Sequence, residues 1–233
     1  MVSFNILSLS TELLLVGQSA NRDKSQDAES KAVDSAEPQA ANSVKGNGVY
    51  IQDINGNLWE VDDWDGSVAP NAIAVIADES KFLIALTQMP SAGPISRDPT
   101  APIDDYMAAA LDTTEAKAEY DGAGNTAKIL KVESCTDYAA GYCDAFIFPD
   151  NKTKGYLPSL GQLNLAYQNK AAVDAALGKC GGTAMSTSCY YWSSTFWGVY
   201  CGYRRCWRFG WSDGYVFGNH LGGKEFVRPF ANF

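Results

Sequence analysis

Chemically capable side chains gather near the C-terminus. Between Trp197 and Arg228 lie the sole histidine, His220, four of the six arginines, three of the six tryptophans and two of the six cysteines. Elsewhere the basic positions are mostly lysine, so this stretch has an amino-acid usage of its own. A solitary histidine invites a catalytic or metal reading, but such a residue usually sits on a surface or in a hydrogen bond. Cys201 and Cys206 leave open a local disulfide, a thiol chemistry or incidental cysteines. The six cysteines (135, 143, 180, 189, 201 and 206) contain no Cys-x-x-Cys, and one histidine cannot complete the usual zinc spacings. No metal and no cofactor are expected. The stretch does offer tyrosine and arginine, which dominate binding hot spots, among glycines that let loops fit a partner. Recognition, not catalysis, is the chemistry this points to.

Those residues need a scaffold. Residues 1–16 read as an amphipathic helix or an extended docking strand. Gly17–Lys45 contains no aromatic residue and is rich in Asp, Glu, Lys, Ser and Ala, so it buries too little apolar surface to offset its ordering entropy. The segment 1–45 is therefore an anchor with a linker, or equally a frayed N-terminus. Val49–Ile51 and Leu58–Val61 flank Asn55-Gly56, whose positive φ angles suit a tight β-hairpin. Further strands are expected at Ala72–Ala77 and Lys81–Thr87, giving a small β-rich domain over 46–103. Its tail, Pro90–Pro102, carries four prolines and should be irregular. Helical patterns cover Asp104–Glu119, a segment capped by Asn125 that runs to Val132, and Tyr138–Cys143. Ser159 is a good N-cap for a helix that places Leu160, Leu163, Tyr167, Val173 and Leu177 at helical spacing and ends at Gly178–Gly182. From Tyr190 onward, alternating aromatic and small residues suggest short strands and loops. The fold class expected is α+β.

Ordered motifs run through the second half. Gly124-Asn125-Thr126, Ala139-Ala140, Tyr142-Cys143 and Gly155-Tyr156-Leu157-Pro158-Ser159 come first. Tyr167-Gln168-Asn169-Lys170, Gly181-Gly182, Tyr191-Trp192-Ser193-Ser194-Thr195 and Val227-Arg228-Pro229 follow. Over Gly122–Phe233, about half the chain, this resembles the bacterial and phage C-type-lectin-fold domains related to the formylglycine-generating-enzyme superfamily. More narrowly, it is similar to the variable proteins of diversity-generating retroelements. The N-terminal half resembles domains that accompany this module in phage structural proteins. The resemblance implies a C-type-lectin-like domain over 104–233, with a variable region at 196–226, preceded by the β-rich domain and the extended N-terminal segment. It also implies an origin for the odd composition: random replacement of template adenines turns AAY codons into NNY. Between Phe196 and Phe226 only Trp197, Trp207, Trp211, Lys224 and Glu225 lie outside what NNY encodes.

On that resemblance, Trp207, Trp211, Gly214 and Val216 form a fixed frame, with both tryptophans in the core. Trp192–Thr195 reads as a buried strand whose hydroxyls satisfy backbone groups. Val227–Phe230 is the closing strand, with Arg228 in a structural ion pair or hydrogen bond. The ligand-facing candidates lie between frame positions: Tyr200, Tyr203, Arg204, Arg205, Arg208, Phe209, Ser212, Asp213, Tyr215, Phe217, Asn219, His220 and Leu221. Trp211-Ser212-Asp213 is similar to the Trp-Asn-Asp calcium element of true C-type lectins, but the companion Glu-Pro-Asn is missing, so calcium-dependent sugar binding is not implied. The thiol chemistry of formylglycine-generating enzymes has no matching context around Cys201 and Cys206.

Charge narrows the partners. At 233 residues, net charge −9 and a sequence pI near 4.6, the chain is not expected to bind nucleic acid through a basic stripe or to dock on anionic membrane. Phe4–Val16 is interrupted by Glu12 and preceded by no basic residue, so neither a signal peptide nor membrane insertion is expected. Synthesis with reduced cysteines in the cytoplasm follows. The function expected is non-enzymatic: display on a phage particle, or alternatively a bacterial cell surface, with 196–226 binding a protein or glycan on a target cell. Residues 1–90 would contact virion proteins, and the chain would be a homo-oligomer, a trimer being one option. The rival readings are a head-fibre or capsid-decoration protein and an enzyme of the formylglycine-generating group.

Overall fold

The computed structural model describes residues 45–233, so the reading of 1–45 as anchor and linker lies almost wholly outside the described residues. Four strands come first: β1 (Gly48–Asp53), β2 (Leu58–Glu60), β3 (Pro70–Ile76) and β4 (Lys81–Ala85). The β1–β2 turn is organised by Asp53. Its carboxylate accepts from the Asn55 and Asn57 amides, both at 2.9 Å, from Asn57 Nδ2 and from Trp59 Nε1, while Gly56 takes φ +88°. The hairpin forms where Asn-Gly required it.

α-Helices follow the stretch 86–112, which carries a 3-10 turn at Ile103–Asp105. Asp112 caps α1 (Thr113–Lys117) and Asp121 caps α2 (Gly122–Ile129). The long helix expected over 104–119 is only a 3-10 turn ending at Asp105 and α1, and Ala110 between them is tied to distant residues. Its amide donates to Phe196 O at 2.9 Å, and its carbonyl accepts from Trp207 Nε1 at 2.9 Å. Asn125 lies inside α2 and is not its cap. α3 spans Ala139–Ala145. Ser159 opens α4 (Leu160–Gln168) with a full capping box to Gln162, a device that stabilises a helix start by about 1 kcal/mol. The single helix expected from Ser159 to Gly178 is two, α4 and α5 (Lys170–Lys179). They part at Asn169, whose side chain donates to Leu165 O at 3.0 Å and competes with the backbone ladder.

The C-terminal strands are β5 (Tyr190–Tyr200), β6 (Tyr203–Gly210), β7 (Val216–His220) and β8 (Phe230–Ala231). Two antiparallel sheets result, in the orders β2-β1-β3-β4-β8 and β5-β6-β7. The arrangement is α+β, as expected. Across the boundary expected between 46–103 and 104–233, strands from both sides share one sheet. β8 covers the β4 edge that the β2-β1-β3-β4 strands alone would leave open. Phe82 of β4 stacks on Phe230 of β8 at 5.0 Å. Ile51, Ile73 and Ile84 share a core with Leu160, Leu163, Val173, Leu177 and Trp211, while Met89, Ile95 and Ile103 share another with Ile129 and Trp192. Arg228, 1% exposed, ties the segment before β8 to the β4 end by donating to Ala85 O (3.0 Å) and Thr183 O (2.7 Å). Burial pushes its guanidinium below the usual arginine value.

Candidate ligand-binding surface

The β5–β7 sheet carries the candidate residues, and half of it is anchored in the core. Tyr191–Phe196 is buried. Ser193 Oγ donates to Trp207 O at 2.9 Å, and Leu160 N donates to Thr195 Oγ1 at 2.9 Å, so two of the three hydroxyls satisfy backbone groups, while Ser194 Oγ is buried with no partner among the described residues. Trp192 Nε1 donates to Gly93 O at 2.8 Å. The frame tryptophans are buried as expected: Trp207 is pinned to Ala110, and Trp211 Nε1 donates to Asp174 Oδ1 at 3.0 Å. Gly214 takes φ +71° against Tyr167, where a Cβ would approach the ring to 2.7 Å.

Past Phe196 the sheet leaves the core. Cys201 (φ 51°) and Gly202 (φ +80°) make a two-residue turn that sets Tyr200 opposite Tyr203. Aromatic rings then follow one another across the three strands. Tyr200 stacks on Trp197 at 6.3 Å, Trp197 meets Phe217 at 6.1 Å, Phe217 stacks on Tyr215 at 6.5 Å, and Tyr215 meets Tyr190 at 6.5 Å. Two arginines lie between rings. Arg205 is 4.8 Å from the Tyr200 centroid and 5.4 Å from Trp197; Arg208 is 4.2 Å from Tyr190 and 5.9 Å from Phe217. Each such contact contributes roughly 0.5–1 kcal/mol at an exposed site. They also place the guanidinium groups between neighbouring rings. Tyr200 is 57% exposed, Tyr215 53%, Tyr203 46% and Phe217 43%. Leu111, 70% exposed, extends the apolar surface beside Gly198.

The arginines differ in what they hold. Arg204 grips Asp104 with two nitrogens (2.8 and 3.2 Å) and donates to Thr100 O at 2.9 Å, so it ties β6 to the 98–104 loop. That pairing holds the Asp104 carboxyl below its usual value. Arg208 pairs with Glu225, a 6%-exposed carboxylate that also accepts from Asn219 Nδ2 at 2.8 Å. Among the described residues the Arg205 Nε is buried with no acceptor, as are the Nε atoms of Arg208 and Arg228.

Most candidates are at the surface; two are not. Phe209 and Leu221 are fully buried, which corrects their assignment as ligand-facing. Phe209 packs on Tyr167 at 5.3 Å. Leu221 lies beyond β7, where its carbonyl accepts from Ile95 N at 2.8 Å and its side chain joins Ile95 and Ile103. Ser212, Asp213 and His220 are exposed, and Asp213 also shapes its turn by accepting from Tyr215 N at 3.0 Å. Tyr190, Trp197 and Asp104 adjoin the candidates and Glu225 is buried beside Arg208; none of the four is among the sequence-predicted candidates. Trp197 and Glu225 did carry a signal, as residues outside the NNY set.

Cysteine chemistry is limited. All six thiols are free; Cys201 is exposed and Cys206 is fully buried, so the two form no disulfide. Burial pushes the Cys206 thiol far above its usual value, so it is not a thiolate near neutral pH. Among the described residues no three His, Cys, Asp or Glu side chains gather as metal ligands, and no helix is long and apolar enough to cross a membrane.

No family model matches the chain, and no curated protein matches it. A solved structure of a fimbrial protein from Bacteroides ovatus ATCC 8483 is similar in fold, with a TM-score of 0.53 at 14% identity. The match covers 81% of this chain and 49% of that one, so the chain spans about half the length of the protein it matches.

Proposed function

We propose that this chain is a ligand-binding display protein, of the C-type-lectin type used as variable proteins by diversity-generating retroelements. Its β5–β7 surface binds a macromolecule on a target cell. The observation that carries this reading is the array Tyr200–Trp197–Phe217–Tyr215–Tyr190 with Arg205 and Arg208 between its rings. An exposed apolar and cationic patch on a well-anchored sheet is the kind of surface that takes a partner, and its residue types are those of hot spots. The split between buried frame and exposed interleaved residues supports the variable-protein reading. Display on a phage particle or a bacterial surface both suit it. The likeness to a protein described as fimbrial concerns fold and favours neither.

The test replaces Tyr200, Tyr203, Tyr215 and Phe217 together by Ser. The variant should keep its circular dichroism and oligomeric state yet lose adsorption to bacterial cells that the unaltered chain binds in flow cytometry. Equal adsorption by a folded variant refutes the assignment.

A further inference from the structure

Four arginines lie in the C-terminal stretch, and three already hold acceptors: Arg204 has Asp104, Arg208 has Glu225 and Arg228 has backbone carbonyls. For Arg205 no side-chain acceptor is found among the described residues; its Nε is buried without a partner, as are those of Arg208 and Arg228, but those two have partners at their terminal nitrogens. The place of Arg205 is nonetheless built. Trp197 and Tyr200 flank its guanidinium, Gly198 stands opposite it on β5, and His220 stands opposite it on β7. Tyr203 packs near the His220 ring at 6.3 Å. A guanidinium stacked on aromatic faces keeps its edge free, and that edge matches the two oxygens of a carboxylate.

We infer that Arg205, with His220 beside it, is the anchor for a carboxylate on the partner, and that the partner is a protein segment presenting Asp or Glu among apolar residues. This rests on the binding reading above and specifies what that surface takes. Charge complementarity gives the anion: the paired arginines are neutralised locally, so Arg205 is the open cation of the array. The geometry favours protein over sugar. A sugar ring would stack on an open indole face, but the Trp197 indole is covered by Arg205 and packs over Gly218, where an added Cβ would come within 2.1 Å of it. The exposed rings beside Arg205 instead suit apolar side chains flanking an acid.

The experiment pans the full chain against a displayed library of random dodecapeptides. Selected peptides are then measured by calorimetry against the unaltered chain, Arg205→Gln, Arg205→Lys, and Tyr215→Ala with Phe217→Ala. Hexagalacturonate and hexaglutamate serve as acid-sugar and acid-peptide controls. Selected peptides should share an Asp or Glu, and replacing that acid by its amide should weaken binding roughly 10- to 100-fold, as for other hot-spot charges. Arg205→Gln should lose a similar factor with no further loss on the amide peptide, and Lys should not restore it. Selected peptides without an acid, or no selected peptides at all, overturn the proposal; so does tighter binding of hexagalacturonate than of any acidic peptide. If Arg205→Gln binds normally while the Tyr215/Phe217 variant does not, the carboxylate anchor is wrong and the binding surface stands. If both variants bind normally, the surface assignment itself fails.

Discussion

Trp197 lies directly over Gly218: a Cβ built on Gly218 would come within 2.1 Å of the indole and within 2.7 Å of three of its atoms. The strands β5 and β7 thus meet across β6 through a residue with no side chain. Trp197 also contacts Trp207 at 5.7 Å, which joins the exposed array to the buried frame. Gly218→Ala must displace the indole or the strand, an overpacking that typically costs 1–3 kcal/mol. Urea denaturation should show about that loss, together with altered tryptophan fluorescence in the folded state. A variant equal to the parent in both would show that the indole can move freely, and the array would not be rigid.

Glu225 holds the other side of the sheet. It sits 6% exposed and receives both Arg208 and Asn219. Removing one partner of a buried pair can cost 3–5 kcal/mol, but the Arg208 side chain is 23% exposed and water screens part of its charge. Glu225→Gln should therefore destabilise by about 1–3 kcal/mol in denaturant titration. A loss below about 0.5 kcal/mol would mean that Arg208 re-solvates at no cost.

Acid should weaken the fold through carboxylates that are held ionised. Arg204 lowers the Asp104 carboxyl by hydrogen bonding. Burial raises the Asp53 carboxyl, but hydrogen bonds from Trp59 and Asn57 outweigh it and leave it lowered. A lowered folded-state value means stability that is complete above the unfolded carboxylate range, near 4, and lost as pH falls through the folded value. Stability in urea should hold from pH 7 to about 5 and drop below 4. Asp53→Asn should show a smaller drop than the parent over the acid range. If its drop matched the parent's, other groups would be responsible.

Parts of this architecture were legible in the residues because the signal was local. Asn55-Gly56 specifies its turn, Ser159 with Gln162 specifies a helix start, and the buried Trp192–Thr195 follows from its composition. What was not legible depended on partners distant in sequence. Ala108–Ala110 has helical propensity, yet Ala110 is bound by Phe196 and Trp207, so tertiary hydrogen bonds override it. Pro90–Pro102 reads as a break between two segments, but nothing local reveals that Phe230 returns to stack on Phe82. Phe209 and Tyr215 are both aromatic residues in the variable stretch, and only strand register decides that one faces Tyr167 and the other solvent.

The turn between Tyr200 and Tyr203 stores a small strain. Cys201 takes φ 51°, a left-handed conformation that costs a residue with a side chain roughly 1 kcal/mol and that Asn tolerates. Cys201→Asn should stabilise the chain by about 0.5–1 kcal/mol in denaturant titration, and binding by the flanking tyrosines should persist. A destabilised variant would show that the thiol makes a compensating contact.

The exposed and buried sets should also differ in the DNA. If the surface is a product of adenine-directed variation, a near-identical copy of the segment encoding 196–226 lies beside a reverse-transcriptase gene and differs from it at adenines. The structure sharpens which codons should differ. Tyr200, Tyr203, Arg205, Ser212, Tyr215, Phe217 and His220 face outward or line the array, so their codons should match AAY in the copy. Trp207 and Trp211 are buried and hydrogen-bonded to Ala110 and Asp174, so their codons should be identical in both copies. Sequencing the flanking DNA decides it. A copy whose differences fall on the buried tryptophans, or no copy at all, removes the retroelement origin while leaving the binding surface to be judged by its own mutants.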